Sequence, residues 1–255
     1  MAGGKETPRQ KMIGMMYLVL TALLALQVSN AVLEKFIFIN KSLERMAVDY
    51  ESKNDQTVAN IDAQVKKRNN LKEEVAILDI AKDVQSETIK VMKDLRDLKE
   101  EMVEVTGGRD PETNQLVGAA DYDKVSTMML QQKGPTGKTK GVELQNLLND
   151  YAQYLVGKTG SKYSDDFPPI AEDAKDIPEF ASDPNQKDKR FPELFFENTP
   201  TAAGMASVSY LETEVLNYER KALEILADSV GAGEVSFNLI CISAQRASAA
   251  PASCP

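Results

Sequence analysis

"TPRQKMIGMMYLVLTALLALQVSNAVLEKF", Thr7 to Phe36, decides how the rest of the chain is read. From Met12 to Leu33 it carries no charge. A helix of that length rises about 33 Å, close to the roughly 30 Å of bilayer hydrocarbon. Its last third is weaker, with Gln27, Ser29 and Asn30. Lys5, Arg9 and Lys11 precede it, opposed only by Glu6. By the positive-inside rule this start faces the cytoplasm and the bulk of the chain lies across the membrane. A cleaved signal peptide would share the basic start and apolar run, but no A-x-A site closes the run. The downstream "NAVLEKFIFINKSLERM" also stays helical, and a signal anchor accounts for both facts.

The helix start is specified residue by residue. Thr7 and Gln10 have the spacing of a capping box, and Pro8 falls at the first helical position, where its missing N–H costs nothing. Arg9 is therefore expected on the helix, although a cation in the first turn opposes the helix dipole. Two readings of Arg9 stay open: it snorkels and sets topology, or it faces a carboxylate on a partner helix. Tyr17 lies about two turns on and within about 80° of Arg9 around the axis. It is either an interfacial anchor or a buried hydroxyl in need of a partner. Thr21, Ala25 and Ser29 form a ridge of small residues that favours close packing of membrane helices. No Asp or Glu lies between Lys11 and Glu34, so a protonatable carboxylate at this depth would have to come from another subunit.

Working outward, the pattern stays helical. Phe36, Ile39, Leu43, Met46 and Tyr50 repeat at alternating spacings of three and four, as do Ile77, Ala81, Val84, Thr88, Val91, Leu95, Leu98, Met102 and Val105. Leu144, Leu147, Tyr151 and Tyr154 mark a shorter helix, and Val208, Leu211, Val215, Tyr218, Ala222, Ile225 and Ser229 a last one. Asn69–Asn70 and Gly107–Gly108 are breaks, and Thr199–Pro200 is a start. Such stripes predict an elongated bundle of near-parallel helices. Residues 159–199 interleave prolines with Phe167, Phe180, Phe191, Phe195 and Phe196, as a partner-binding strap or as a connection anchored by its aromatics. "GEVSFNLICI", Gly233 to Ile242, alternates like the start of a strand.

The expected fold is therefore all-α, a single N-terminal transmembrane helix followed by an elongated helical bundle cut short before β structure. The expected divisions are 1–11 (cytoplasmic start and cap), 12–34 (membrane helix), 35–232 (bundle), and 233–255 (a truncated β domain or a vector-derived tail).

Composition narrows the function. The net charge is −9, which argues against sequence-independent nucleic-acid binding. There is no histidine, which removes His-based metal sites, triads and pH switches. Cys241 and Cys254 make neither a disulfide framework nor a zinc site. "GPTGKTKG" lacks the spacing of a phosphate loop, and "YSDDFPP" lacks that of an EF-hand. No nucleophile–base constellation is present, so no catalytic residue, metal or cofactor is expected, and the chain does not read as an enzyme.

The opening "MAGGKETPRQKMIGMMYLVLTALLALQVSNAVLEKF" resembles that of the GldM/PorM family, inner-membrane proteins of gliding motility and type IX secretion. The resemblance is dense over this stretch; beyond it, it is one of organisation. It implies a homodimer whose membrane helices sit inside a pentamer of a small GldL-type partner. It implies a motor driven by proton-motive force, coupled through later β domains to periplasmic and outer-membrane secretion components. It further implies that Arg9 pairs with a membrane glutamate of that partner and that Tyr17 belongs to the same region. A sensor ectodomain and a passive, single-span anchored scaffold are the competing readings.

Overall fold

A computed structural model describes residues 8–231, with the side chains of residues 22–30 excepted. Thr7, the strand expected at Gly233–Ile242, and both cysteines lie outside the described residues. Seven α-helices occur among them, with no strand beyond isolated bridges. α1 (Pro8–Lys67) is a single helix of 60 residues. It is followed by α2 (Lys72–Val105), α3 (Lys124–Leu130), α4 (Lys140–Thr159), α5 (Pro178–Ala181), α6 (Phe191–Phe196) and α7 (Thr201–Ser229).

The breaks fall where the backbone chemistry requires. Asn69 and Asn70 take positive φ of 60° and 56°, a left-handed turn that asparagine tolerates, and the chain reverses there. Gly107 and Gly108, at φ 106° and 81°, stop α2. Pro200 stands immediately before α7.

Hydrogen bonds and ion pairs fix the directions. Asn40 meets Ser209 and Asn54 meets Glu219, so α1 and α7 run parallel. Glu44 meets Lys99 and Asp55 meets Gln85, so α2 returns antiparallel to α1. Glu101 meets Lys140 and Asp83 meets Lys158, so α4 is antiparallel to α2. The parallel α1–α7 pair is possible only because residues 160–200 carry the chain back along the bundle. α7 is the central helix, buried on most of its faces, and α1 packs most extensively against it.

The aromatics of the long connection anchor it. Phe167, Phe191 and Phe196 are buried, Phe191 and Phe195 stack with centroids 4.6 Å apart, and only Phe180 is exposed. Tyr218 donates its hydroxyl to Pro168 O at 3.0 Å, and Asn149 clasps Ala171 through both backbone polar groups. The phosphate-loop look-alike is a turn closed by Glu143, whose carboxylate accepts from the Thr136 N–H at 2.7 Å.

Two expectations change. On α1 the buried positions are Leu33, Ala47, Asn54, Val58, Ile61 and Val65, while the expected core residues Ile39 and Met46 are exposed. The seven-residue seam runs through Asn40, Ala47 and Asn54, small or polar residues that a search for large apolar side chains passes over. On α7, Ser229 is exposed and the buried register ends on Leu226, Ala227 and Val230. The stripes on α2 and α4 hold in outline: Ala81, Val84, Thr88, Val91, Leu95, Met102, Leu144 and Tyr151 are all buried.

Among the described residues no helix is long and apolar enough to cross a membrane. The run Met12–Leu33 includes residues 22–30, whose side chains lie outside the description.

Phe196 is fully buried between the connection and α3, α4 and α7. Phe196→Ala is expected to cost about 3–5 kcal/mol, read by urea unfolding, because the ring's contacts are lost and the cavity only partly closes.

Candidate functional site

The first feature is the N-terminal third of α1. Pro8 is its first described residue, and no acidic residue occupies its first turn. Arg9 and Gln10 follow on the helix. Arg9 is exposed and makes no ion pair among the described residues. Tyr17 is 67% exposed and its hydroxyl finds no partner there. Thr21 turns its hydroxyl inward, donating to Tyr17 O at 2.9 Å and Leu18 O at 3.0 Å. That satisfies its polar group within the helix and leaves the methyl for packing. The side chains of Ala25 and Ser29, like Thr7, lie outside the described residues. The apolar residues of this stretch, Met12, Met15, Met16, Leu18, Val19 and Leu20, are all exposed.

The second feature clamps α1 into the bundle and was not read from the sequence. Lys99 of α2 reaches between α1 and α7, where its Nζ donates to Glu44 at 3.0 Å, Ser209 Oγ at 2.7 Å and Glu212 at 3.1 Å. Ser209 in turn donates to Asn40 at 2.7 Å, and Asn40 to Glu44. All three Nζ donors are used, so the ammonium is fully satisfied. Burial pushes the Glu212 carboxyl above the usual range, and Lys99 holds it back. Two turns along, Asn54 donates to Leu216 O at 3.0 Å and to Glu219 at 2.7 Å. Beyond that, Thr88 and Tyr151 share a hydrogen bond of 2.8 Å between α2 and α4. Burial drives the Tyr151 hydroxyl far above the normal tyrosine range, so it stays neutral. A signal existed: Lys99 sits on the α2 stripe between Leu95 and Met102, and Glu212 and Glu219 are seven residues apart on α7.

A cleft of about 800 Å³ opens beside the base of this clamp, lined by Glu34, Ile37 and Lys41 of α1, Arg109 and Leu116 of the loop after α2, and Met205 of α7. Among the described residues no group of three or more Asp, Glu, Cys or His is placed to hold a metal.

Together these features define a class: a helical-bundle protein whose leading helix projects an exposed apolar and basic face and continues, without a break, into a bundle that grips it. The family model described as GldM N-terminal domain matches residues 31–229. The chain belongs to the GldM family, membrane-associated components of gliding motility and type IX secretion. No curated protein matches the chain.

Removing the Lys99 charge leaves Glu44 and Glu212 uncompensated. Lys99→Met is expected to destabilise the bundle by about 3–5 kcal/mol at neutral pH. The double change Lys99→Met/Glu212→Leu should recover most of that loss, as denaturant titration of the two variants will read.

Proposed function

We propose that this chain is the central subunit of a proton-motive-force-driven inner-membrane motor that powers type IX secretion and gliding. The observation that carries this reading is the single helix α1, running from Pro8 through the apolar run to Lys67 at the far end of the bundle. A helix that both crosses the bilayer and is clamped along its outer half is a mechanical shaft. Torque or tilt applied to its membrane part has no joint in which to dissipate before the bundle.

In this reading residues 1–11 are cytoplasmic, 12–34 span the membrane, 35–232 form the periplasmic bundle, and β domains follow from about residue 233. The partner is a GldL-type pentamer around two copies of α1. Arg9, on the helix after Pro8 and without an ion pair among the described residues, faces a membrane glutamate of that ring. Arginine does not titrate, so the proton is carried by the glutamate, and protonation breaks the attraction to Arg9. The ring then steps around the central pair. Tyr17 lies in the same region, its hydroxyl available to the partner. Thr21, with its hydroxyl folded back on the helix, suits close packing of the two central helices, and Ala25 and Ser29 extend that ridge by sequence. The exposed stripe Val32, Ile39 and Met46, spaced by seven on α1, supports a homodimer that continues outside the membrane. Later domains carry the motion to periplasmic and outer-membrane secretion components.

The test begins with co-expression of the chain and the small membrane protein of its operon, followed by subunit counting in native mass spectrometry. Two copies of this chain within a larger ring are expected. Arg9→Ala is then expected to abolish gliding and secretion at normal protein levels, whereas wild-type output from that variant would return Arg9 to a topology signal. A chain with no membrane partner would instead favour a passive anchored scaffold.

A further inference from the structure

The two buried glutamates of α7 are treated differently by the fold. Glu212 is met by the Lys99 ammonium. Glu219, 3% exposed, is met by no cation among the described residues. Asn54, itself 1% exposed, donates to it at 2.7 Å, and the Thr88 hydroxyl is its second hydrogen-bonding neighbour. Asn54 Oδ1 is buried with no donor among the described residues. A groove of about 240 Å³ leads to Glu219 from the surface, lined by Glu51 and Asp55 of α1, and by Gln85, Thr88 and Arg96 of α2. Arg96 is spent on Glu51, and Gln85 donates to Asp55 at 2.7 Å. From α4, Tyr151 approaches only through Thr88. A buried carboxylate thus faces two more carboxylates, one neutral amide and one neutral hydroxyl, with a water path to its side.

We propose that the Asn54–Glu219 pair is a proton-binding site in the bundle, separate from the membrane segment, and that its occupancy sets how firmly α1 is held against α7. A proton from bulk water adds to a Glu219 carboxylate oxygen, with no other bond made or broken. The neutral acid then offers the O–H donor that Asn54 Oδ1 lacks, while the amide N–H keeps its bond to the second oxygen. One charge-assisted hydrogen bond between α1 and α7 becomes a reciprocal pair, and the buried charge is removed.

The electrostatics agree with the geometry. Burial first, and then Asp55 and Glu51, push the Glu219 carboxyl up to about 7, against the hydrogen bonds from Asn54 and Thr88. A carboxyl whose folded value stands above its ordinary 4.5 takes up a proton on folding. The folded state therefore gains as pH falls from about 7 towards 4.5, and gains nothing further below that. Within that window the folding equilibrium shifts by up to about tenfold per pH unit for one proton. The inference goes beyond the motor reading and does not depend on Arg9. If that reading holds, the bundle tightens its grip on the shaft as the compartment that supplies protons becomes more acidic.

The experiment is urea unfolding of the full chain at a series of pH values, for the unaltered protein and Glu219→Gln. The glutamine amide supplies the missing donor at every pH. It is expected to make the protein about tenfold or more stabler in its folding equilibrium at pH 8, with the two curves converging near pH 5. Parallel curves with no difference in slope between pH 5 and 7 would overturn the proposal. If the variant does not fold, ¹³C NMR of the unaltered chain reads the Glu219 carboxyl directly. A midpoint near 7 supports the site, and a midpoint in the ordinary glutamate range, about 4–5, overturns it.

Discussion

The structure depends on how α7 is surrounded. A helix buried on most of its faces has no hydrophilic side to give to water, yet α7 carries Ser209, Glu212 and Glu219 inside. Each must be answered from a neighbouring helix, because an unpaired buried charge costs several kcal/mol. Lys99 answers from α2, and Asn40 and Asn54 from α1. These polar contacts fix the register of α1 against α7 in a way that interchangeable leucines would not. A slide of one turn would break Asn40–Ser209, Glu44–Lys99 and Asn54–Glu219 together. The apolar layers on either side of this seam supply the driving force: Leu211, Val215, Leu95 and Met102 at its level, and Ile61, Val65, Leu223 and Val230 at the far end.

That division explains what could be read without coordinates. The four long helices, the asparagine and glycine breaks and the stripes on α2 and α4 were legible, because large apolar residues at helical spacing mark the helices and left-handed residues mark the breaks. The anchoring of the connection by Phe167, Phe191 and Phe196 was one of two readings that the prolines and aromatics allowed. The buried face of α1 was not legible. Over its first half the seam holds Ala47 and Asn54, buried for size and hydrogen bonding, with half-buried Asn40 beside them, while Ile39 and Met46 lie on the outside. A search that scores hydrophobicity turns the helix the wrong way when the core seam is polar. The short helices α3, α5 and α6 escaped for another reason: at four to seven residues each they hold too few repeats for any period to show.

The candidate site divides along the same line. Pro8, Arg9 and Tyr17 stood out as candidates because charge and aromaticity are conspicuous beside an apolar run. Lys99, Glu212 and Glu219 were hidden among the many lysines and glutamates of a chain in which 27% of residues are charged. What distinguishes them is a position on an otherwise apolar stripe, and that becomes decisive only once the helices are packed.

The long return of residues 160–200 has a mechanical consequence. It makes α1 and α7 parallel, so the chain enters the bundle at the foot of α1 and leaves α7 at its head, where Gly231 lies beside Arg68. A load pulling between those two points runs along the α1–α7 seam. Had the two helices formed a hairpin, the same load would peel them apart one contact at a time. Here it shears them, and Asn40–Ser209, the Glu44–Lys99–Glu212 bridge, Asn54–Glu219 and the apolar layer at Ile61 must yield together. The crossover that looks like a detour in the topology converts a line of modest contacts into a joint that resists tension collectively.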